Sequence, residues 1–452
     1  MRLADLVDRR VAVWGFGREG RAAIHALRQH GGNQRFTLFC SAAEVDAARI
    51  FDPALEVIAD EPDAATLGQF DVVVKSPGIS AYKQALLAAQ AQGTRFTSGT
   101  ALWFGENPDA RVIAITGTKG KSTTSALTAH LARSLGVRTA LAGNIGLPLL
   151  ELLGQRADLW VIELSSFQTG EAGPLELGVI TSLYEEHLDW HGSRERYVAD
   201  KLKLADVSRR LLVNALQPAL LERTRQHPQC LLFGQPDGWH VAGGFIRRRT
   251  QEIFPIDQLT APGLHNALNA CAALAVLEAI GMDAPAAVPA LAHFRPLPHR
   301  LQPLGEHDGW HWVNDSISTT PLATLAALES LHGRAVTVLV GGLDRGLDWT
   351  PFVDAMRVTP ANAIICMGAN GARIEAALRG AGIHCPIMRA DDLAGAVAEA
   401  KTRTPPGGVI VLSPGAPSFD QFKDYAERGR RFAALAGFDE ASIAGIEGLG
   451  IG

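Results

Sequence analysis

Short apolar runs alternate with polar, helix-forming stretches along the whole chain. In the first hundred residues the runs VAVWG (11–15), RFTLFC (35–40) and DVVVKSPG (71–78) are typical of buried parallel strands, and REGRAAIHALRQ (18–29) is typical of a helix. Strands that alternate with helices in this way predict an open α/β sheet.

The alternation begins again near residue 111, and once more after the proline-rich segment FRPLPHR. The later strands are predicted at VIAIT, DLWVIEL, GVITSL, HWVND, AVTVLVGG, AIICMG and GVIVLSPG. We therefore predict three α/β domains, at residues 1–102, 103–300 and 301–452. The last dozen residues are rich in glycine, and we expect them to be poorly ordered.

Composition narrows the class of protein. The chain carries 42 Lys and Arg against 47 Asp and Glu, a net charge of −5, so no broad basic surface for nucleic acid is predicted. No apolar run reaches the roughly 18 residues of a transmembrane helix, and charges interrupt the N-terminal segment before a signal peptide could form. Five scattered cysteines without metal-ligand spacing favour reduced thiols. We expect a cytoplasmic protein without membrane insertion.

The strongest chemical motif is GTKGKST, which lies between a predicted strand and a predicted helix. Glycines let backbone N–H groups approach phosphate oxygens, the lysine can reach the β and γ phosphates, and the serine hydroxyl can bind Mg²⁺. The motif is shorter than the common GxxxxGK[ST], and a glycine-rich turn with solvated lysines is the alternative. The candidate nucleotide-binding residues are Gly117, Thr118, Gly120, Lys121, Ser122 and Thr123.

A second glycine motif, GFGREG at residues 15–20, follows the first predicted strand. A dinucleotide site would need an acidic residue at the end of the second strand, where this chain has Phe39, Cys40 and Ser41. A tight strand-to-helix turn and a nucleotide site therefore both remain open. Ser76, directly after DVVVK, is a candidate for a second phosphate-binding element.

Further candidates follow the phosphate motif. Glu163 ends a predicted strand, where a carboxylate near a phosphate loop is a suitable Mg²⁺ ligand, although such an acid can also be merely solvated. His187 lies in the loop segment EHLDWH and could bind a metal or orient a phosphate. Asn266 and Asn269 are three positions apart on a predicted helix, where they could contact adenine or cap the helix. Nothing local distinguishes Lys201 from a surface lysine.

Twelve short motifs occur in one order along the chain: GxGxxG, SPGI, GTxGKST, GNIG, ELSSFQ, EHLDWH, a downstream lysine, HNxxNxxAA, PHR, NDS, GGLDRG and SPGAPSFDQF. In this order they resemble the Mur ligase family, and most closely its glutamate-adding members. The resemblance covers essentially the whole chain. It implies Rossmann-like N- and C-terminal domains, for the UDP group and the amino acid, and a central P-loop ATPase domain.

The resemblance also implies an activity. ATP and Mg²⁺ would activate the carboxylate of UDP-N-acetylmuramoyl-L-alanine as an acyl phosphate, and the amine of glutamate would displace the phosphate. This is a step of peptidoglycan precursor synthesis. We expect a monomer.

Individual roles can be carried over position by position. The catalytic residues would be Lys121, His187 and Lys201, where Lys201 matches a lysine that the family carbamylates, although it lies one residue nearer to the histidine. The metal ligands would be Ser122, Glu163 and His187. Besides the phosphate loop, ATP would meet Asn266, Asn269, Arg300 and Asp315. The residues implied for the other substrates are Gly17, Arg18, Glu19, Ser76, Asn144, Thr319, Arg345, Ser418 and Tyr425.

The segment around Ile317 departs from the family pattern. Glutamate-adding members usually read N-D-S-K-A-T-N, whereas residues 314–320 here read N-D-S-I-S-T-T, so a lysine that would face the acceptor carboxylates is absent. Tyr425 stands where phenylalanine is familiar. Arg345 can still pair with a carboxylate, and Thr319 and Ser418 can donate hydrogen bonds. We favour L-glutamate over D-glutamate as the acceptor, with a partner epimerase that acts on the product.

Other functions compete with this interpretation. A D-glutamate-adding ligase is the nearest, and a folylpolyglutamate synthase is a more distant one that lacks a UDP-binding domain of this kind. A nicotinamide-dependent dehydrogenase built on residues 15–20 lacks the acidic ribose partner. A nucleotide-gated binding protein would not need Glu163, His187 and Lys201.

Overall fold

The computed structural model describes residues 1–32, 34–184, 191–261, 263–443 and 445–452. The chain forms two compact units. The first comprises Met1–Phe254, Leu268–Leu291 and Gly448–Gly452, and the second comprises Pro255–Ala267 and Ala292–Glu447.

The first unit opens with a five-stranded parallel sheet in the order β3-β2-β1-β4-β5. The inner strands are wholly buried because helices cover them. This order, with the first strand in the middle, is that of a Rossmann-type half sheet. The strands are β1 Val11–Trp14, β2 Phe36–Phe39, β3 Glu56–Ile58, β4 Val72–Lys75 and β5 Arg95–Thr97, and the helices are α1 Arg18–Gly31, α2 Val45–Phe51, α3 Ala64–Leu67, α4 Gln84–Ala91 and α5 Gly99–Glu106.

A seven-stranded sheet forms the rest of the first unit, in the order β11-β10-β9-β6-β8-β7-β21. All its pairs are parallel except β21 with β7. The strands are β6 Val112–Thr116, β7 Thr139–Gly143, β8 Leu159–Glu163, β9 Leu175–Ile180, β10 Ser208–Asn214, β11 Cys230–Phe233 and β21 Gly450–Ile451. The helices are α6 Lys121–Ser134, α7 Arg194–Asp206, α8 Pro218–Thr224, α9 Leu264–Ala279 and α10 Ala284–Ala287, of which α9 begins in the second unit.

A small sheet of β12 Trp239–Ala242, β13 Phe245–Arg248 and β14 Gln251–Pro255 precedes α9. The second unit has a six-stranded sheet in the order β15-β16-β20-β17-β18-β19, in which only the edge pair β15 and β16 is antiparallel. Its strands are β15 Gln302–His307, β16 Trp310–Asn314, β17 Val336–Val340, β18 Ala363–Cys366, β19 Ile387–Arg389 and β20 Val409–Leu412. Its helices are α11 Pro321–Ser330, α12 Thr350–Val358, α13 Gly371–Gly380, α14 Leu393–Arg403 and α15 Tyr425–Leu435.

Every strand predicted from an apolar run is present, but one lies earlier than expected. The run GVITSL begins inside β9, which ends at Ile180, and the polar end of the run continues as a loop beside the phosphate motif. The expectation of poor order at the C-terminus is wrong for its last residues, because Gly450 and Ile451 pair with β7. Among the residues that the structure describes, no helix has the length and apolarity of a membrane span.

Candidate active site

The phosphate motif forms the turn between β6 and α6. Gly120 has φ +84°, a left-handed conformation that favours glycine, and Lys121 is the first residue of α6. A Cβ atom on Gly117 would lie 2.0 Å from Oγ1 of Thr181, and one on Gly120 would lie 2.5 Å from Oδ1 of Asn269. The loop therefore needs glycine at both positions, and its backbone N–H groups lie at the positive end of a 14-residue helix.

Two lysines contact carbonyl groups of this loop. Lys121 donates to the Thr118 carbonyl at 3.0 Å. Lys201, on α7, is buried and donates to the Gly117 carbonyl at 2.9 Å. The hydroxyl of Tyr197, one helical turn before Lys201, lies 2.7 Å from Oγ1 of Thr118. The structure thus places Lys201 behind the phosphate loop, where the sequence alone gave no local signal for it.

Glu163 is the last residue of β8, and strand pairing places it beside the ends of β6 and β7. Its partner on β6 is Ile115, just before the phosphate loop, and its partner on β7 is Gly143, just before Asn144. The amide of Asn144 donates to Oε1 of Glu163 at 2.6 Å. The other oxygen, Oε2, is buried and has no hydrogen-bond partner among the described residues.

A buried carboxylate oxygen without a donor fits a cation, since leaving such an atom unsatisfied is costly. Within the described ranges no group of three or more His, Cys, Asp and Glu side chains could hold a metal ion. Mg²⁺ nevertheless needs only one or two protein ligands besides phosphate oxygens and water, so the half-buried Ser122 and Glu163 suit it. His187, the third predicted ligand, lies outside the described residues.

The two predicted asparagines lie on α9 and are both buried. Asn269 approaches the phosphate loop, because its Oδ1 accepts a hydrogen bond from Thr124 at 3.3 Å and lies close to Gly120. Thr123, in the first turn of α6, is buried as well. Asn266 belongs to the second unit.

The glycine motif after β1 is a close-packed turn. A Cβ atom on Gly20 would lie 1.9 Å from the carbonyl oxygen of Gly15, and one on Gly15 would lie 2.8 Å from Oγ of Ser76. Gly17 and Arg18 are exposed at the start of α1, and Arg18 donates to the Gly146 carbonyl at 3.3 Å. Close packing explains why glycine stands at positions 15 and 20, and the hydrogen bond of Arg18 places the exposed start of α1 beside the GNIG loop.

Glu19 is mostly buried beside other carboxylates. Burial, and then the negative charges of Glu171 and Glu151, raise the pKa of Glu19 to about 7. Lys75 partly balances this acidic cluster, because its ammonium lies 3.4 Å from Glu171. A group that titrates near neutral pH therefore lies next to the turn predicted to bind substrate.

In the second unit, Asp315 is held by three donors. Its carboxylate accepts from the Leu301 backbone at 3.0 Å, from Ser413 at 2.8 Å and from Ser318. Burial nevertheless raises its pKa, opposed by these hydrogen bonds and by the charge of Arg300. Arg300 and Asp315 are thus neighbours within this unit.

The remaining predicted residues of the second unit differ in exposure. Arg345 and Thr319 are exposed, Tyr425 is exposed at the start of α15, and Ser418 is buried. Tyr425 makes an edge contact with His299, with ring centroids 5.9 Å apart. The structure leaves the exposed three accessible to a ligand.

Sequence reasoning missed Arg428, which is 1% exposed. Its guanidinium donates to Oγ and the carbonyl of Ser316 at 3.1 and 2.8 Å, and to the Ala416 carbonyl at 3.0 Å. It therefore joins the NDS and SPGAPS segments. Also missed was a buried hydrogen-bonded group around Asp200. In both cases the sequence shows only a charged residue close to other charged residues of a helix, such as Glu427 beside Arg428 and Lys201 beside Asp200, and this pattern does not indicate burial.

The multi-domain α/β fold is shared with two solved ligases. UDP-N-acetylmuramate-alanine ligase MurC from Thermotoga maritima superposes with a TM-score of 0.60 and 18% identity, over 94% of this chain and 98% of that one. MurF ligase from the same organism, in complex with ADP, gives 0.57 and 17%, over 97% and 96%. At these identities the likeness concerns the fold, and it confirms the predicted fold class.

Comparison of sequences finds relatives with much higher identity than these solved structures. Residues 115–277 match the Mur ligase middle domain, and residues 299–415 match the Mur ligase glutamate ligase domain. A protein from Xanthomonas campestris pv. campestris, named UDP-N-acetylmuramoyl-L-alanine--L-glutamate ligase, is 51% identical over all of both chains. Proteins of the same name from Xylella fastidiosa and Salinispora tropica are 48% identical over all of both chains and 39% identical over 96% and 98%. This chain belongs to the Mur ligase family, as its motif order predicted.

Proposed function

We propose that this protein is an ATP-dependent ligase that joins L-glutamate to UDP-N-acetylmuramoyl-L-alanine. The observation that carries the chemistry is the buried Oε2 of Glu163, which has no hydrogen-bond partner in the part of the chain that the structure describes and whose residue pairs with Ile115, just before the phosphate loop. It provides a site for a cation beside the place where a triphosphate would lie. The substrates are proposed from the full-length relatives, whose name states this reaction.

Mg²⁺ would be held by Ser122 and Glu163, with His187 as the third predicted ligand, and would offset charge between the triphosphate and the substrate carboxylate. The backbone of the phosphate loop would hold the β and γ phosphates, and Lys121 would neutralise them. Lys201 fixes the loop through the Gly117 carbonyl. Its carbamylation would leave one N–H for that contact and would replace the positive charge of the ammonium with the negative charge of a carbamate.

The reaction has two steps. An oxygen of the L-alanine carboxylate attacks the γ-phosphorus, the bond to the β-phosphate oxygen breaks, and ADP leaves. The free amine of glutamate then attacks the acyl carbon, and phosphate departs with the carbon–oxygen bond electrons while the nitrogen loses a proton. A carboxylate is a poor electrophile, so phosphorylation supplies the leaving group, and donors arranged beforehand stabilise the charge that develops.

The preference for L-glutamate rests on Ile317. A half-buried apolar side chain here replaces the lysine of the usual pattern, so the acceptor pocket has one cation fewer. Arg345, exposed in the GGLDRG segment, provides the bidentate partner for a carboxylate. The D-glutamate alternative is not favoured, because relatives that are 48–51% identical over their full length carry the L-glutamate name.

The test is phosphate release by the purified chain with ATP, Mg²⁺ and UDP-N-acetylmuramoyl-L-alanine, against a panel of D- and L-amino acids. We expect release that requires both the UDP-linked substrate and L-glutamate, at least tenfold faster than with D-glutamate. Equal rates, or a preference for D-glutamate, would overturn the stereochemical assignment. Release without the UDP-linked substrate would overturn the reaction itself.

Four further features belong to this proposal: a cytoplasmic location, where ATP and UDP-linked precursors are available; a monomer; an epimerase that later inverts the product; and division of the chain into three domains. The five cysteines are free thiols, which agrees with a reducing compartment.

A further inference from the structure

A tyrosine in a loop of the five-stranded sheet donates a hydrogen bond to a buried carboxylate on a helix of the seven-stranded sheet. The hydroxyl of Tyr82 lies 2.8 Å from both oxygens of Asp200, across 118 positions of sequence. Tyr82 lies in the loop after β4, six residues beyond Ser76, and Asp200 lies on α7 directly before Lys201. Burial and the carboxylate raise the pKa of Tyr82 to about 12, so its hydroxyl stays protonated and donates.

Asp200 is also hydrogen-bonded to a histidine, which is in turn hydrogen-bonded to a serine. Nδ1 of His191 lies 2.7 Å from Oδ2 of Asp200, and Nε2 of His191 lies 3.0 Å from Oγ of Ser166. The imidazole is fully buried, and burial lowers its pKa, which favours the neutral ring. Since an ionised Asp200 can only accept, the neutral ring donates from Nδ1 and accepts the Ser166 proton at Nε2.

Serine, histidine and aspartate in this order also form the nucleophilic triad of hydrolases. Here Ser166 is 5% exposed, and the hydroxyl of Tyr82 occupies both oxygens of the aspartate as well. A buried serine cannot meet a substrate carbonyl. The chain of contacts Tyr82–Asp200–His191–Ser166, which we call the relay, therefore positions other groups.

Two members of the relay, Ser166 and Asp200, lie next in sequence to elements of the nucleotide site. Ser166 lies three residues after Glu163, in the loop that leaves β8. Lys201, next to Asp200, donates to Gly117 in the phosphate loop. The backbone of this stretch of α7 is fixed too, since the Asp200 carbonyl accepts from Thr169 at 2.7 Å. A shift of Tyr82 would therefore also displace the loop after Glu163, the proposed metal ligand, and the phosphate loop.

We propose that the relay couples binding of the UDP-linked substrate near Ser76 to binding of the nucleotide at the phosphate loop, with Tyr82 as a positioning residue. The inference rests on the proposed function for its two ligands. When the substrate orders the loop that carries Tyr82, it fixes Asp200, and through Asp200 both Lys201 and the loop after Glu163. By thermodynamic linkage, the nucleotide must strengthen substrate binding by the same factor.

The experiment measures this factor by calorimetry on the full chain. The Kd of ADP with Mg²⁺ is determined alone and with saturating UDP-N-acetylmuramoyl-L-alanine. We expect the substrate to tighten ADP binding about tenfold in the unaltered protein, a typical coupling. In Tyr82→Phe the factor should fall below about twofold, while the Kd of ADP alone stays the same, because the removed hydroxyl donates to Asp200 and not to the phosphate loop in the described part of the chain.

Lys83→Ala is the matched control. Lys83 is next in the same loop, and its ion pair with Glu61 stays within the five-stranded sheet region, so its loss should leave the factor unchanged. Ser166→Ala cuts the relay at its other end and should also lower the factor. A merely structural role would instead change melting temperature and both Kd values of ADP together.

Tyr82→Phe that keeps the full factor overturns the inference, and so does an unaltered protein in which both ligands bind without coupling. If Tyr82→Phe does not fold, Ser166→Ala decides by the same criterion. Failure of the UDP-linked substrate to bind at all would overturn the proposed function and this inference with it. Binding without coupling overturns the inference alone.

Discussion

Replacing Glu163 with glutamine tests the cation site with the smallest change of shape. The side chain is 1% exposed, Oε1 accepts from Asn144 at 2.6 Å, and Oε2 has no partner among the described residues. Glutamine keeps the size and the oxygen that Asn144 needs. It removes the negative charge that would meet Mg²⁺.

The substitution has opposite effects on activity and on stability. Loss of a metal ligand at the reacting phosphate should cost about 3–4 kcal/mol of transition-state stabilisation, or about 10²–10³-fold in kcat/KM. Without Mg²⁺, the same change should stabilise the fold by about 1 kcal/mol, because a buried amide costs less than a buried carboxylate with an unsatisfied oxygen.

The assay is phosphate release with saturating ATP and L-glutamate at a series of Mg²⁺ concentrations, with urea unfolding of the metal-free protein alongside. The control is Glu176→Gln at the start of β9, where the carboxylate pairs with Arg111 at 2.6 Å and Arg210 at 3.1 Å. That variant should lose stability and keep its kcat. If Glu163→Gln keeps the unaltered kcat at saturating Mg²⁺, the cation site is not at this carboxylate.

Three further changes have calculable outcomes. Gly120→Ala should destabilise the protein by about 2 kcal/mol and weaken ADP binding in calorimetry, because Gly120 has φ +84° and the added Cβ would meet the side-chain amide of Asn269. Gly136→Ala is the control, since Gly136 has φ +79° and a Cβ there would meet no atom within 4 Å. It should lose only the backbone contribution of about 1 kcal/mol and leave ADP binding unchanged. Burial lowers the pKa of His299 to about 4, so the unfolded chain takes up this proton first, and stability should fall by about 3 kcal/mol as pH drops from 6.5 to 4. Urea midpoints of His299→Asn, which tolerates φ +62°, should lack this loss. The raised pKa of Glu19, about 7, acts in the opposite direction: its stabilising contribution is present below pH 4.5 and is lost as pH rises through 7. Glu19→Gln should therefore be more stable than the unaltered protein by about 3 kcal/mol at pH 8 and equally stable at pH 4.5 in the same measurement.

Many of the strands that the sequence predicted contain a short run of apolar residues. VIAIT and GVIVLSPG are examples, and both become wholly buried parallel strands, β6 and β20. The strand β7, with the sequence TALAG, was not predicted, because alanine and glycine have weak strand propensity. It is a strand because β8 on one side and β21 on the other supply its hydrogen bonds.

The candidate site likewise has a part that the sequence predicts and a part that it does not. The phosphate loop could be predicted because its glycines, lysine and serine are adjacent in sequence and carry the chemistry themselves. The positions of Lys201 and Tyr82 could not, because each depends on contacts across 84 and 118 residues. A pattern of local residues does not contain such distances, and the resemblance to a family supplied Lys201 only by its place in the motif order.

The loop that contains Ile317 is held by contacts of its backbone and of neighbouring residues. Arg428 holds the neighbouring Ser316 through its hydroxyl and its carbonyl, and Asp315 is anchored by the backbone of Leu301. The N–H of Ile317 itself donates to the His299 carbonyl at 3.1 Å. The backbone is therefore fixed by groups other than the side chain at position 317. We therefore expect an exchange of lysine for isoleucine there to leave the path of the loop unchanged and to alter only what the loop presents to an amino acid.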